Sequence, residues 1–591
     1  MFQTFAVTAR PDAAPPRVAR LRAWMAERDL DAFLVPRGDA YQGENVAPCD
    51  ERLAHISGFN GSAGFAVILR ERAAIFTDGR YRVQVRAQTD PATFETVDWP
   101  ATKLADWLPG AMPGGGRLGF DAMLHSVSEM KALEGLDGIE AVAVENGVDA
   151  IWEGRPAAPS GPMRAYPEKL AGRSSADKRA EIGRALVAAK VEGFVTNQPD
   201  AIAWLLNIRG ADIARTPIAQ AFAVIHADGR VDLVCDPEKA APVADHLGPD
   251  VTIHAADTLL DLLGAQAGPT GFDPAACPVA LAGALPDGRP MTDPVALPKA
   301  RKSDAEIAAT REAHLRDGAA MVRFLRWLDA APEGTTEIDV ARALEGFRRD
   351  TNALLDISFE SIVGSGPNGA IVHYRVNEDT NRVLDRDSVL LVDSGGQYLD
   401  GTTDITRTVP RGRPPARIAE AFTRVLQGMI AVSRVRFPVG VAGAHLDALA
   451  RAPLWMDHRD YDHGTGHGVG VYLGVHEGPA RISRVSTVPL EPGMILSNEP
   501  GYYREGEFGI RIENLIVVRE AAIPKFGDDR AMLMFETLTW VPIDRRLIVT
   551  ALLSDAERRW LDSYHAGVLE RLAPRLDGAD MDWLRDMCAP L

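Results

Sequence analysis

Two aspartates, one histidine and two glutamates in the second half of the chain have the types and surroundings that metal chemistry requires. The aspartates close the two ends of Asp393-Ser-Gly-Gly-Gln-Tyr-Leu-Asp-Gly-Thr-Thr-Asp404. The histidine, His467, lies in His463-Gly-Thr-Gly-His-Gly-Val-Gly, and the glutamates lie in Asn498-Glu499-Pro500-Gly501 and Arg511-Ile512-Glu513-Asn514. Four carboxylates and one imidazole, each beside glycine or in a strand-like run, can hold two divalent cations. Such hard oxygen donors suit manganese, cobalt or zinc better than a thiophilic metal. A metal pair sharing a water makes hydroxide at neutral pH and can cleave an amide.

Taken singly, each residue also has an ordinary reading. Asp393 ends the apolar run Val389–Val392, where a carboxylate commonly forms a turn or caps a helix. Asp404 follows after a hairpin-like connection, so the two carboxylates can face one another across an antiparallel pair. Without a cation they repel and one pKa climbs. A histidine in a glycine loop is ordinarily a turn residue, yet His463, His467 and His476 fall close together among glycines that permit close backbone approach. Pro500-Gly501 breaks the strand at Met494–Ser497 just after Glu499. In Ile510–Val518, alternation sets Ile510 and Ile512 on one face and Arg511 and Glu513 on the other, which alone reads as a solvated strand face.

Long elements must carry these residues. Ser303-Asp-Ala-Glu306 is a capping-box pattern, and the helix after it should run to about Ala330 with Ile307, Leu315, Val322 and Leu325 on its apolar face. Pro332 and Gly334 stop it. A second helix should follow Pro414-Pro415 with Ile418, Phe422, Val425 and Met429 on one side, after a strand at Ser388–Asp393. The tail after about Asp555 reads as a helix packed through Trp560, Leu561 and Leu569.

The first half contains one unit twice. Ala32-Phe-Leu-Val-Pro-Arg-Gly-Asp39 matches Gly193-Phe-Val-Thr-Asn-Gln-Pro-Asp200, each after an amphipathic helix pattern. Each copy later carries Phe-Ala-Val-Ile, at 65–68 and 222–225, followed by another strand. Helix, strand, turn, helix, strand, strand is an α/β unit. The Pro- and Gly-rich stretch Pro156–Pro167 suits a linker. The expected division is residues 1–160, 161–297 and 298–591, the last with a C-terminal extension.

The chain has 591 residues, enough for several cores, and a net charge of -18 that repels phosphate backbones, so nucleic acid is not an expected partner. No apolar run approaches the ~20 residues that span a bilayer. The start lacks a basic segment followed by an apolar one, so neither membrane attachment nor a secretory leader is expected, and a cytoplasmic location is the expectation. Cysteines 49, 235, 277 and 588 form no Cys-x-x-Cys pair and read as free buried thiols.

With its motifs assembled, the chain resembles the pita-bread metallopeptidases, and among them the long, three-domain aminopeptidase P (Xaa-Pro aminopeptidase) type. The motifs are Asp-Gly-Thr-Thr-Asp-Ile-Thr-Arg, His-Gly-Thr-Gly-His-Gly-Val-Gly, Val-His-Glu-Gly-Pro, Asn-Glu-Pro-Gly-Tyr-Tyr and Gly-Ile-Arg-Ile-Glu-Asn. Ile56–Gly64, Thr77–Tyr81, Gly364–Tyr374 and Leu538–Ile543 extend the likeness over nearly the whole chain, with no departure at the five ligand positions.

The resemblance implies two creatinase-like, ribonuclease-H-like α/β domains followed by a pita-bread catalytic domain. It implies two divalent ions per subunit, manganese first. Asp393 would chelate one ion, Asp404 and Glu513 would bridge both, and His467 and Glu499 would bind the other. A dimetal-bridged hydroxide would release the first residue from peptides with proline second. His373, His463 and His476 would be substrate-pocket histidines, and Glu499 the proton shuttle. Tyr503 and Arg511 would stand behind the ligands, and Arg80 at the substrate cleft. A homodimer is implied. A prolidase confined to dipeptides is the alternative within enzymes, and a metal-free pita-bread binding protein the alternative outside them.

Overall fold

The computed structural model describes residues 1–591, which form two compact units. One comprises Thr8–Glu168 and Arg173–Lys299; the other comprises Met1–Val7, Lys169–Gly172 and Ala300–Leu591.

The first unit contains two six-stranded sheets built to one plan. In the first, the strand order is Glu95–Asp98, Ala73–Thr77, Phe65–Leu69, Ala32–Pro36, Gly116–Phe120 and Ile139–Ala143. In the second it is Val251–His254, Val231–Val234, Phe222–His226, Gly193–Thr196, Thr270–Phe272 and Gly288–Pro290. Parallel and antiparallel pairings occur at the same places in both. The repeated Phe-Ala-Val-Ile strands lie antiparallel to Ala32–Pro36 and Gly193–Thr196 respectively, so the sequence repeat is a topological repeat. The two halves share packing: Tyr41 and Met123 of the first pack against the core around Val195, Phe222 and Leu281 of the second.

In the second unit the capping box is complete, with Ser303 accepting from Glu306 N and the Glu306 side chain returning to Ser303 N. The helix runs Asp304–Asp329 and buries Ile307, Val322 and Leu325. The helix Ala416–Arg434 buries Ile418, Phe422, Val425 and Met429 in one cluster with Leu561 of the terminal helix Asp555–Leu572. Each such side chain contributes about 1.5–3 kcal/mol on leaving water. Met1–Val7 joins this unit because Phe5 is buried in its core and Glu345 accepts from the backbone of Phe2 and Gln3.

Two antiparallel sheets of this unit carry the expected ligands. One is antiparallel, Ile362–Ser365, Ser388–Ser394 and Ile405–Arg411 in spatial order. The other has six antiparallel strands, in the order Arg436–Pro438, Met532–Thr537, Asn514–Glu520, Ile495–Asn498, Gly466–Gly468 and Glu477–Ile482. The run Ile510–Val518, expected as one strand, is broken at Ile512 and Glu513. Phe508–Arg511 pairs with Gly501–Arg504, whereas Asn514–Glu520 pairs with Ile495–Asn498 and Met532–Thr537. At the break, Ile512 N donates to Pro500 O at 3.3 Å and Glu513 N to Thr406 O at 3.1 Å. No helix is long and apolar enough to cross a membrane. All four cysteines are free and buried.

Candidate metal centre

The strand Ser388–Ser394 brings Asp393 opposite Thr406. Asp404 lies just before the partner strand, on the diagonal from Asp393 rather than directly across, so the two carboxylates share a face at an offset. Glu513 enters at the strand break, where Thr406 Oγ1 donates to its Oε2 at 2.8 Å. His467 sits between Gly466 and Gly468. A Cβ on Gly466 would meet the Ser497 carbonyl, and one on Gly468 the Glu477 carbonyl, so only glycine lets the neighbouring strands close around the imidazole. Glu499 follows the strand Ile495–Asn498 and accepts from Ser497 Oγ at 3.1 Å.

These pieces converge. One ligand atom each from Asp404, His467 and Glu513 falls within 4.8 Å of the others. His467 Nε2 is 3.5 Å from Asp404 Oδ2 and 3.4 Å from Glu499 Oε1. Its Nδ1 is 3.0 Å from the Gly468 carbonyl, which only a proton on Nδ1 satisfies, leaving the Nε2 lone pair directed at the carboxylates. Asp393 Oδ1, Asp404 Oδ1 and Glu513 Oε1 are buried and make no hydrogen bond. Burial, and after it the neighbouring carboxylates, push Asp404 and Glu513 well above the usual carboxylate range. Burial likewise raises Glu499. Oxygen atoms crowded out of water, with no donor and an imidazole lone pair beside them, fit divalent cations in this donor set.

Arg511 and Glu513, read alone as a solvated strand face, are 2% and 1% exposed. The reason is tertiary: Thr408 Oγ1 donates to Arg511 O at 2.9 Å and the strand Ile405–Arg411 covers that face. Arg511 Nη2 donates to Asp393 Oδ2 at 2.6 Å and Nη1 to Tyr503 Oη at 2.6 Å. Burial alone would lower the Arg511 pKa; Tyr503, Asp393 and Glu499 outweigh it and hold it raised.

The remaining expected residues fall in different places. His463 Nε2 is 2.9 Å from Tyr503 Oη, and its Nδ1 is 2.8 Å from the Gly464 carbonyl. His476 is exposed, its ring edge-on to that of His467 with centroids 4.2 Å apart. His373 is half-buried in the turn after Gly366–Ala370. Arg80 belongs to the other unit, where Asp78 Oδ2 accepts from its Nη2 at 2.7 Å and Glu44 Oε1 lies 3.7 Å from Nη1. The expected set omits Thr406, Ser497 and Arg407. Arg407 is buried and donates to the Glu513 carbonyl at 2.6 Å and to Pro542, Val541 and Asn514. The parity of Asp404-Ile-Thr406 was the available signal for Thr406, since alternate residues share a face.

Comparison with known proteins agrees along the whole length. The profile of metallopeptidase family M24 matches residues 308–520, and the C-terminal region of peptidase M24 matches 531–591. The creatinase/prolidase N-terminal domain matches twice, at 17–152 and 154–306. The probable Xaa-Pro aminopeptidase P of Neosartorya fischeri is 39% identical over 97% of this chain and 92% of its own length. The chain belongs to the aminopeptidase P family. Aminopeptidase P2 of Arabidopsis thaliana is also 39% identical, over 95% of this chain and 86% of its own. Among solved structures, the X-prolyl aminopeptidase of Caenorhabditis elegans, described as a cytosolic enzyme with a di-nuclear active site, superposes with a TM-score of 0.93. It is 32% identical and covers 98% of this aminopeptidase P family chain and 100% of its own. The Xaa-Pro dipeptidase of Bacillus anthracis shares the fold over 63% of this chain, with a TM-score of 0.51 and 24% identity.

Proposed function

We propose that this protein is an Xaa-Pro aminopeptidase, a metal-dependent exopeptidase that releases the first residue from peptides carrying proline second. One observation carries the reading: Asp404, His467 and Glu513 converge on buried, unbonded carboxylate oxygens in a chain that matches Xaa-Pro aminopeptidases from end to end. Asp393, Asp404, His467, Glu499 and Glu513 would hold two divalent ions, and the Caenorhabditis elegans relative is described as having a di-nuclear active site. Manganese is the proposed metal on the family resemblance; the hard donor set of four carboxylates and one imidazole suits it, and also zinc or cobalt. When bound, such ions polarise a carbonyl and lower the pKa of water towards ~7.

The chain's own residues do the rest. In the hydrolysis, the oxygen of water joins the scissile carbonyl carbon, the C–N bond breaks, and the proline nitrogen takes a proton. Glu499, raised by burial and 3.4 Å from His467 Nε2, is placed to pass that proton through a carboxylate oxygen. His476 beside His467, with His373, donates to the scissile carbonyl oxygen as charge grows there, while His463, held by Tyr503, lines the substrate pocket. Tyr503 and Arg511 orient His463 and Asp393. The substrate's free α-amine is favoured near the carboxylates. Its second residue has no N–H and a restricted φ, so a pocket that reads the ring rather than an N–H accepts what other peptidases lose.

The working form proposed is a cytosolic homodimer, the location by likeness to the Caenorhabditis elegans enzyme and the dimer from the family resemblance. The test is hydrolysis of paired Xaa-Pro-Yaa and Xaa-Pro peptides by manganese-loaded protein, with products identified by mass spectrometry. Release of the first residue from the tripeptide is expected. Cleavage confined to the dipeptide would turn the reading to prolidase.

A further inference from the structure

Behind the two aspartate strands lies a buried ion pair that the proposed reaction does not use. Arg348, in the helix Glu337–Arg349, is 0% exposed; Asp317, in the helix Asp304–Asp329, is 3% exposed. Arg348 Nε donates to Asp317 Oδ1 at 2.7 Å and Nη2 to Oδ2 at 3.1 Å. Tyr398 Oη donates to Oδ1 at 2.7 Å and Thr403 Oγ1 to Oδ2 at 3.1 Å, so the carboxylate accepts four hydrogen bonds. Thr403 Oγ1 in turn accepts from Gly396 N at 2.9 Å. On the other side, Arg348 Nη2 lies 3.4 Å from the carbonyl of Ser394.

The connections are specific. Ser394 directly follows Asp393, and Thr403 directly precedes Asp404. The pair therefore grips the chain one residue away from each proposed ligand aspartate. Arg348 Nη1 is buried with no hydrogen-bond partner. Taking two charges out of water costs several kcal/mol per ion, and apolar replacement of such pairs is often neutral or stabilising. Stability alone is thus a poor reason for this pair, whereas a fixed spacing between two ligands is a good one.

We propose that Arg348 and Asp317 are positioning residues for the metal centre: from behind, through Ser394 and Thr403, they set the separation of Asp393 and Asp404 and with it the affinity for divalent cations. This rests on the metal reading above. Two variants and one control test it on full-length protein stripped of metal. Thr403→Val removes the hydroxyl link to Asp317 at nearly constant shape, and Thr403→Ser restores it. The double variant Arg348→Met/Asp317→Leu replaces the pair with apolar side chains. Manganese binding is measured by calorimetry, and the thermal midpoint of each metal-free protein is measured alongside.

Thr403→Val and the double variant should bind manganese roughly 10- to 100-fold more weakly. Thr403→Ser should return to the affinity of the unaltered protein, and the metal-free midpoints should not explain the difference. Unchanged manganese affinity in Thr403→Val overturns the inference while leaving the metal reading intact. If the double variant does not fold, the Thr403 pair alone decides. If the unaltered protein takes up no manganese, the metal reading falls and this inference with it.

Discussion

Arg511 holds Asp393 through a 2.6 Å contact from Nη2 to Oδ2, with both side chains buried. Its other arm reaches Tyr503 Oη at 2.6 Å, and Tyr503 reaches His463 Nε2 at 2.9 Å. A continuous polar run thus joins a proposed metal ligand to a histidine placed for the substrate. The Gly464 carbonyl accepts a hydrogen bond from His463 Nδ1, which leaves Nε2 to accept from the tyrosine.

Tyr503→Phe cuts this run at its middle and removes one oxygen. Manganese content should be unchanged, because the contact between Arg511 and Asp393 survives. Turnover should fall about 10- to 100-fold. Steady-state kinetics on a fully loaded variant checks it, and an unaltered rate would take His463 out of the reaction.

Asp404→Asn keeps the side chain's shape and removes one of the crowded charges. Metal binding and activity should be lost. The metal-free protein should unfold at the same temperature as the unaltered chain or above it, because burial, Asp393 and Glu499 all work against the charged form of Asp404. A lower midpoint would show that the carboxylates do not repel one another.

The same crowding gives a pH signature with a definite sign. Asp404 and Glu513 are raised by burial and then by neighbouring carboxylates, and Glu499 is raised first by burial. An acid raised in the folded chain binds its proton more tightly there than when unfolded. Its contribution to stability is full below the ordinary carboxylate pKa of about 4 and is lost as pH rises through the folded value. Metal-free protein should therefore lose stability relative to Asp404→Asn as pH rises from about 4. Manganese binding should tighten over the same rise, since the ligands must be deprotonated. Denaturant midpoints of both proteins across pH decide it, and parallel curves would contradict it.

Gly466→Ala tests the fit around His467. The added Cβ would meet the Ser497 carbonyl, which belongs to a paired strand and cannot move aside alone. A loss of about 1–3 kcal/mol is expected, the usual cost of overpacking. Weaker manganese binding should accompany it. Denaturation and calorimetry on one preparation measure both, and a variant as stable as the parent would show that the strands there have slack.

The sequence by itself determined the local elements and the types of the site residues. Ser303 and Glu306 specify the start of the helix Asp304–Asp329 because a capping box acts over three residues. The repeated Phe-Ala-Val-Ile strands specify two like sheets because period and turn spacing are local as well. The carboxylates and imidazole were legible as candidates because glycines and strand ends mark them. Tertiary structure decided what sequence spacing cannot express. Alternation told which residues share a face with Glu513, but the strand Ile405–Arg411 decided that this face is dry. The hairpin-like connection suggested that Asp393 and Asp404 oppose each other, but register sets Asp393 against Thr406 and leaves Asp404 on the diagonal. Arg348 and Asp317 lie on two different helices, and Arg407 reads in the sequence as an ordinary strand arginine. Their roles come from hydrogen bonds closed only when helices and strands pack, because burial is a property of what covers a residue.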